Sequence, residues 1–453
     1  MVFQKRTWLK GLSLLLCAVL LLPFLNACGS GPDDCAPEPD ASAALPTTEL
    51  RTAVYPEMPP FPASFEDREG FENWRKAVEA QDREEGYADG LEPFWEKSMQ
   101  TFLGTDVQDN KVCSPMNIYL ALGMLAEVTG GDSRQEILNL LGQPDTESLR
   151  AQASDVWNAQ YQDDKAVTMV LANSLWLNEN LKLKEEPLSV LADHYYASSF
   201  SGTPGSPEMD QALRTWLSKE TAGLLDAQAE GVSLDPETIL SLASAIRYQV
   251  KWEKEFEKSL TAPREFKGSS GTVTRDFLHR LDTGTFYWAS QFSAVALNAK
   301  NNGGSMVLLL PDPEMTPEQL LKDPETFQFL RSPWDWSRQK VVKIDFAMPK
   351  FDIASDLDLS SGLQAMGISQ VFTKEADFTP LTDQQALLSG CSHAARVAVD
   401  EEGITAAAYT ILEMAGCAEP PEEIAPFILD RPFLFVLQSP DGLPLFAGIV
   451  NHP

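Results

Sequence analysis

The pattern of hydrophobic and polar positions divides the chain into successive parts. An apolar run covers residues 11–25 and follows three basic residues within the first ten. A positively charged start followed by an apolar run is typical of an export signal, and this run is short for a membrane span. The pattern predicts a signal peptide over residues 1–27.

A polar segment follows the apolar run. Residues 29–63 are rich in Pro, Ala, Ser, Asp and Glu, and such a composition buries too little apolar surface to offset the entropy of ordering. Residues 65–85 are charged with a few aromatic side chains, a pattern compatible with a short helix. We therefore predict an acidic tether over residues 28–91 and a folded domain over residues 92–453.

Beyond residue 92 the apolar spacing alternates between helical and strand periods, with no second linker. Helical spacing covers 118–128 and 134–141, and Asp132 with Ser133 is the candidate N-cap of the second helix. Strand-like runs cover 167–176, 305–310, 341–346, 396–400, 433–438 and 445–450. This mixed order predicts an α+β fold in which helices surround a large sheet.

Charge narrows the classes of partner. The 453 residues carry a formal net charge of -31, whereas a nucleic-acid-binding protein needs a basic face to replace phosphate counterions. The acidity either serves solubility or steers a basic protein partner towards the chain. No nucleic-acid partner is expected.

Cysteine and histidine positions exclude the common catalytic and metal sites. The cysteines are Cys17, Cys28, Cys35, Cys113, Cys391 and Cys417, and the histidines are His194, His279, His393 and His452. Neither set has the spacing of a zinc or thioredoxin-like motif, and the nucleophile-elbow and phosphate-loop patterns are absent from the sequence. We expect no metal, no cofactor and no enzymatic activity.

The end of the apolar run carries a candidate modification site. Leu25-Asn26-Ala27-Cys28 resembles the bacterial lipobox, in which the signal is cut before a cysteine whose thiol is acylated. The alternative is a plain signal with an incidental cysteine. The resemblance implies a bacterial lipoprotein exported to the envelope or cell surface and held to a membrane through Cys28; Cys35 is left unassigned.

Several separated segments match the motifs of one family in their order along the chain. They are residues 113–115 (C-S-P), 172–176 (A-N-S-L-W), 243–252 (A-S-A-I-R-Y-Q-V-K-W), 348–351 (M-P-K-F), 376–378 (A-D-F), 430–433 (D-R-P-F) and 445–453 (L-F-A-G-I-V-N-H-P). Together they resemble the serpins, a family of serine protease inhibitors. The resemblance implies the serpin fold: a large central sheet with further sheets, surrounding helices and an exposed reactive-centre loop.

One further segment resembles the serpin hinge E-x-G-T-x-A-A-A-x-T. It consists of Glu401, Glu402, Gly403, Ile404, Thr405, Ala406, Ala407, Ala408, Tyr409 and Thr410. In an inhibitory serpin this loop inserts into the large sheet as a new strand after cleavage, which requires small uncharged residues and period-two alternation. From Ile404 to Met414 the even-numbered face carries no charge, and on the other face Tyr409 would point outward.

Composition alone gives the same segment a different interpretation. An alanine-rich stretch favours a helix, and only its place between two serpin-like segments favours a strand. We expect Gly403 to be the pivot of the loop, because glycine adopts dihedral angles that other residues avoid.

The resemblance also implies a cleavage site. Serpins are usually cut after the seventeenth residue of the hinge, which here gives the bond Cys417–Ala418, with Met414 and Leu412 as fallback sites. Cysteine is small and apolar in character, so it excludes trypsin-like targets and indicates an elastase-like serine protease, or a papain-like cysteine protease. Cys417 could instead be a redox-sensitive thiol.

Four residues match positions that control loop insertion in serpins. Ser114, Ser244 and His393 resemble the shutter, a polar cluster beneath the central strands, and Trp252 resembles the breach, where insertion starts. Asn117 stands where a serine is usual and Ser244 where an asparagine is usual, which implies rearranged hydrogen bonds. For each of these residues a purely structural role is an equal alternative.

The resulting hypothesis is an irreversible suicide-substrate inhibitor that acts as a monomer on a target endopeptidase. A first alternative is a serpin-fold surface binding module, or a cleavable substrate, that does not inhibit. A second is an exported enzyme that uses Cys417 or Cys391 as nucleophile and His393 as base. The permissive hinge favours inhibition.

Overall fold

The computed structural model describes residues 46–64, 66–104, 108–404 and 421–453. Its α-helices are α1 (Arg68–Glu79), α2 (Glu92–Leu103), α3 (Pro115–Val128), α4 (Gly131–Leu141), α5 (Thr146–Gln160), α6 (Glu185–His194), α7 (Pro207–Glu220), α8 (Asp226–Ala229), α9 (Pro317–Leu320), α10 (Pro324–Arg331) and α11 (Ser360–Met366). Short 3-10 helices cover Lys258–Leu260, Pro333–Asp335 and Gln370–Phe372.

The strands form two sheets. They are β1 (Thr48–Arg51), β2 (Lys111–Cys113), β3 (Gln162–Asp163), β4 (Thr168–Asn178), β5 (Ala197–Gly202), β6 (Leu240–Lys251), β7 (Ala262–Gly268), β8 (Gly271–Trp288), β9 (Phe292–Asn298), β10 (Ser305–Pro311), β11 (Gln339–Pro349), β12 (Phe351–Asp358), β13 (Leu388–Val399), β14 (Gly403–Ile404), β15 (Ile424–Ile428), β16 (Phe433–Gln438) and β17 (Pro444–Val450).

The large sheet has the strand order β1-β5-β4-β6-β14-β13-β12, with β3 beside β4. Its central strands β6 and β13 run parallel and pair directly only over their first halves, up to Ala245 and Ala394. The two residues of β14 lie between them at the other end. Almost every residue of β4 and β6 is buried, as expected for strands covered on both faces.

The second sheet has the order β15-β11-β8-β9-β10-β16-β17-β2, with β7 beside β8. The main core includes apolar residues of both sheets and of α3, a helix in which all residues are buried. A smaller core lies on the other face of the large sheet, where α7 packs its Leu213 and Trp216 near Trp176 of β4. Both faces of the central strands are therefore covered by other parts of the protein.

The α+β fold predicted from the sequence is confirmed. The two predicted helices correspond to α3 and α4, and the six predicted runs correspond to β4, β10, β11, β13, β16 and β17. The predicted cap of α4 is wrong, because the helix begins after Gly130 without a side-chain cap. Ser133 instead accepts a hydrogen bond from the backbone N–H of Asp377 at 3.0 Å.

The predicted end of the tether at residue 91 is too late. Strand β1 pairs antiparallel with β5, and the ring of Tyr55 lies 5.3 Å from that of Trp157 on α5. Further along, the Phe61 N–H donates to the Asp164 carbonyl at 2.8 Å, and Trp74 of α1 donates to the Asp164 carboxylate at 2.7 Å. We call residues 46–91 the N-terminal strap. Its few aromatic side chains supply the buried surface that its overall polarity conceals.

The predicted short helix within this stretch is present as α1. In the described ranges, no helix is long and apolar enough to cross a membrane. Residues 1–45, which include Cys28 and the predicted signal peptide, lie outside the described part of the chain.

Candidate functional site

Ser114, His393 and Ser244 meet in a buried cluster where β6 and β13 pair directly. Ser114 caps α3, and its backbone N–H donates to Nε2 of His393 at 2.9 Å. Since Nε2 accepts, the imidazole proton lies on Nδ1, which is 2.8 Å from the Ser244 hydroxyl. His393 has no exposed surface, and burial lowers its pKa to about 4. The ring is therefore neutral at physiological pH and joins both central strands to α3.

Asn117 completes this cluster from the first turn of α3. Its amide Nδ2 donates to the Ala245 carbonyl on β6 at 2.8 Å, and its Oδ1 accepts from the amide of Asn173 on β4 at 2.9 Å. The amide that serpins usually carry on the strand is thus supplied by the helix, while Ser244 supplies the hydroxyl. The participation of Asn173 could not be predicted, because the motif that contains it identified only a strand.

The second part of the site is the end of the large sheet, where the hinge begins. Gly403 pairs with Lys251 and Ile404 with Val250 on β6, and Ile404 also pairs with Val399 on β13. Ile404 is buried against the core. The hinge therefore already occupies the first two positions of a strand between β6 and β13.

Trp252 fixes the turn that precedes this strand. Its indole Nε1 donates to the Asp400 carbonyl at 2.9 Å, and its backbone N–H donates to the Glu402 carbonyl at 3.0 Å. The Phe256 N–H donates to the Glu401 carbonyl at 2.8 Å. The residue predicted at the breach thus contacts the base of the loop directly.

Ion pairs hold the two hinge glutamates. Glu401 accepts from Lys350 at 2.8 Å and from the Thr261 hydroxyl at 2.9 Å, and Glu402 pairs with Lys258 at 2.9 Å. Partial burial would raise the pKa of Glu401, but its hydrogen bonds, that from Lys350 foremost, outweigh burial and lower it. Lys350 belongs to the serpin-like segment 348–351, yet its role as a partner of Glu401 could not be predicted from the sequence.

Gly403 is needed for a different reason from the one we predicted. It is not among the described glycines with positive φ, so the hinge does not use the dihedral freedom of glycine in this state. A Cβ atom on Gly403 would lie 2.0 Å from the Val250 carbonyl oxygen. The close approach of the hinge to β6 is what requires glycine.

The rest of the predicted loop lies outside the described residues, including Thr405, Ala406, Ala407, Ala408, Tyr409, Thr410, Leu412, Met414, Cys417 and Ala418. On its far side the chain enters β15, which pairs parallel with β11 through Ile424 and Lys343. The segment therefore connects the large sheet to the second sheet.

Two buried thiols flank the cluster at Ser114. Burial raises the pKa of Cys391, and likewise that of Cys113, to about 12. Both ring nitrogens of His393 are already hydrogen bonded, so neither thiol has a base to activate it. The geometry disfavours the hypothesis of a Cys391 nucleophile, and no cluster suited to a metal ion occurs among the described residues.

Comparison with known proteins gives a consistent set of relatives. A family model described as Serpin (serine protease inhibitor) matches residues 96–453. The chain is 28% identical to Serpin-Z2B of Triticum aestivum over 364 residues, covering 76% of this chain and 90% of the relative. It is 29% identical to alpha-1-antiproteinase of Rattus norvegicus over 354 residues, covering 75% and 82%.

Solved structures share the fold. Tengpin, a thermophilic serpin in its native state, superposes with a TM-score of 0.73 at 22% identity, covering 82% of this chain and 95% of tengpin. Arabidopsis AtSerpin1 in its native stressed conformation superposes with a TM-score of 0.72 at 25% identity, covering 82% and 100%.

Proposed function

Because this chain belongs to the serpin family, we propose that it is a suicide-substrate inhibitor of an endopeptidase, cleaved at Cys417–Ala418. The observation that carries the proposal is the pairing of β14 with both β6 and β13. A strand that has begun between two neighbours can lengthen only by separating them. The hinge thus stands at the start of the insertion that inhibition requires.

The register of β14 supports insertion over the whole length of the sheet. Continuing its antiparallel pairing with β6 one residue at a time would bring Thr410 opposite Ser244 and Met414 opposite Leu240, the first residue of β6. The corresponding neighbour of Thr410 on β13 would be His393. Insertion would therefore replace the Ser244–His393 contact with contacts to Thr410, and the sequence ahead of Cys417 is long enough to fill the sheet.

The two faces of the inserted segment would meet suitable surroundings. Ala406 would face the core between Tyr248 and Val397, both buried. Tyr409 would not point into solvent as predicted from the sequence, since its neighbours would be Ala245 and Ala394 in the small core under α7. Because both neighbours are small, the bulky ring of Tyr409 does not argue against insertion.

The mechanism uses the chemistry of the target protease. Its nucleophile attacks the Cys417 carbonyl, the Cys417–Ala418 peptide bond breaks, and the Ala418 amine leaves with a proton, so that an acyl-enzyme remains. Residues 404–415 then enter the sheet before water can complete hydrolysis. Twelve residues at about 3.3 Å each extend roughly 40 Å, so the attached protease is carried along the sheet. Distortion of its active site by about 1 Å costs on the order of a hundredfold in rate, and deacylation stalls.

Insertion also changes the pairing of the central strands. The direct parallel contact of β6 with β13 is replaced by two antiparallel contacts to the new strand, and antiparallel pairs are slightly more stable per residue. The free energy that drives insertion thus includes backbone hydrogen bonds that β6 and β13 cannot make on their separated halves.

The test is incubation with an elastase-like serine protease of a chain that begins at residue 46, so that the strap is retained. A complex that survives a denaturing gel, together with a released fragment that begins at Ala418, is the expected result. Clean cleavage without a complex and without a gain in thermal stability would refute the proposal and favour a non-inhibitory surface module or substrate. A complex with a different new N-terminus would keep the mechanism and move the bond to Met414 or Leu412.

We further propose that the protein is exported and lipid-anchored through Cys28, which would place the inhibitor where secreted proteases act. Expression in a bacterium with labelled palmitate should label the wild-type chain and leave Cys28→Ser unlabelled. Equal labelling of the two chains would refute the anchor without affecting the inhibitory mechanism.

A further inference from the structure

A crevice of about 250 Å³ opens between β8, β9 and β11 of the second sheet. Strand β8 pairs with β11 from Phe277 to Tyr287, but with β9 only from Phe286 to Trp288. Beyond that contact β8 and β9 diverge, and the gap between them is the crevice. Its apolar walls include Tyr287, Val295, Leu297, Ile344 and Phe346.

Arg280 places a positive charge in this crevice, beside its apolar side chains. Its guanidinium carbon lies 4.7 Å from the ring centre of Phe256 and 6.0 Å from that of Phe346, and its Nη1 donates to the Lys254 carbonyl at 2.6 Å. Burial lowers the pKa of Arg280, an effect that Asp282 and Glu253 partly offset. A guanidinium remains charged even so.

The carboxylates nearest to Arg280 have other partners. Asp282 pairs with Lys254 at 2.7 Å, and Glu253 accepts from the side-chain amide of Asn298 at 3.0 Å. Among the described residues, no carboxylate lies within ion-pair distance of the Arg280 guanidinium. The crevice therefore offers a cation with most of its five N–H donors free.

We propose that this crevice binds a small carboxylate with a compact apolar body, such as an aromatic or branched aliphatic monocarboxylate. The guanidinium fork matches a carboxylate in two parallel hydrogen bonds, and the walls would cover the apolar body of the ligand. The crevice volume of about 250 Å³ lies just below the range of about 300–1,000 Å³ that is typical of small-molecule sites, which favours a small ligand over a peptide or lipid. The proposal does not depend on protease inhibition.

Two sites on β8 allow the cation and the space to be tested separately. Arg280→Gln removes the charge. Gly284 faces the crevice, where an added Cβ would lie 3.1 Å from Cδ1 of Ile344, so Gly284→Val should fill the space and leave Arg280 in place. Arg275→Gln is the matched control, because Arg275 is an exposed arginine on the same strand but does not line the crevice.

The experiment is calorimetric titration of the full chain with benzoate at millimolar concentration, with benzamide as the uncharged analogue of the same shape. We expect saturable benzoate binding, weakened about tenfold or more for benzamide and for Arg280→Gln. Gly284→Val should also abolish binding, and Arg275→Gln should bind like the wild type. If Arg280→Gln fails to fold, the benzamide comparison and Gly284→Val still decide. Absence of benzoate binding, equal binding of benzamide, or wild-type binding by both crevice variants would overturn the proposal.

Discussion

His393 links three elements through its imidazole, and its chemistry depends on staying uncharged. Its Nε2 accepts from Ser114 and its Nδ1 faces Ser244, an arrangement that only one neutral tautomer satisfies. A second proton on the ring would turn the acceptor at Nε2 into a donor that faces another donor. Acidic pH should therefore destabilise the centre of the large sheet.

The expected pH dependence has a definite sign. Burial lowers the pKa of His393 to about 4, whereas an unfolded histidine has a pKa near 6.5. As pH falls from about 6.5 to about 4, the unfolded chain takes up a proton that the folded chain does not, so the free energy of unfolding decreases, by up to about 3 kcal/mol. Denaturant titration across this range measures it, and an unchanged slope in His393→Gln would contradict the assignment.

Replacing Gly403 with a larger residue should create a steric clash with β6. In Gly403→Ala the new methyl group would meet the Val250 carbonyl oxygen at 2.0 Å, so β14 should separate from β6 at a cost of about 1–3 kcal/mol. The midpoint temperature of thermal unfolding and the yield of protease complex should both decrease. Gly231→Ala is the control, because nothing lies within 4 Å of an added Cβ there, and equal effects of the two changes would reject the steric explanation.

The sequence identified the residues of the candidate site more successfully than it identified their contacts. Ser114 could be located from a motif and His393 from its resemblance to a shutter position, because family resemblance preserves residue type and order. The reason for Gly403 and the partners of Glu401 could not, since both depend on how closely separate strands approach. Such distances are set by tertiary packing, which local spacing does not encode.

At the scale of elements, β14 is a two-residue strand that determines the register of a much longer one. From its pairing with Val250 and Val399, odd and even loop positions acquire different neighbours. Ala406 would face Tyr248 and Val397, whereas its neighbour Ala407 would face Arg247 and Arg396. Adjacent alanines thus test the proposed register with a single type of substitution.

We expect Ala406→Glu to convert the inhibitor into a substrate and Ala407→Glu to remain an inhibitor. The first change would bury an unpaired carboxylate, which costs several kcal/mol, and the second would set it beside two arginines. The ratio of complex to cleaved protein on a denaturing gel measures the outcome. The reverse ranking would show that the loop enters with the other face inward.

The contact of α3 with the large sheet depends on the side-chain amide of Asn117. Asn117→Ser would leave the Ala245 carbonyl and the Asn173 amide without their partner, for a loss on the order of 2 kcal/mol. Adding Ser244→Asn returns an amide to the strand, and the double variant should recover on the order of 1 kcal/mol relative to the sum of the single changes. Chemical denaturation of the four proteins gives the coupling, and simple additivity would show that the exchanged residues act independently.

The helices α3 and α4 and the strands with uninterrupted apolar runs could be predicted because their periods are visible in the sequence. The long strand β8 could not, since half of it is solvent-exposed and its apolar positions are irregular. Strand β14 was equally hidden, because two residues carry no period.

Within the whole molecule, the folded unit includes residues that precede the predicted boundary. The strap joins distant parts of the fold: Tyr55 donates to Glu220 on α7, Arg83 pairs with Asp155 on α5, and Tyr87 donates to Asp441 between β16 and β17. Composition could not show this, since average polarity conceals a few well-placed aromatic residues. The folded unit therefore begins before the predicted boundary at residue 92.

Strand β1 also determines which backbone groups of the large sheet face the solvent. It is four residues long and carries Glu49 and Arg51, while its neighbour β5 (Ala197–Gly202) is uncharged. Short charged strands discourage one sheet from adding to another along their edges.

A chain that begins at residue 54 would uncover β5. We expect light scattering to show that this chain self-associates as its concentration rises, whereas the chain from residue 46 should not. Ser201→Lys in the shortened chain should restore single molecules, so the colloidal behaviour of this protein would depend on four residues at one edge of the large sheet.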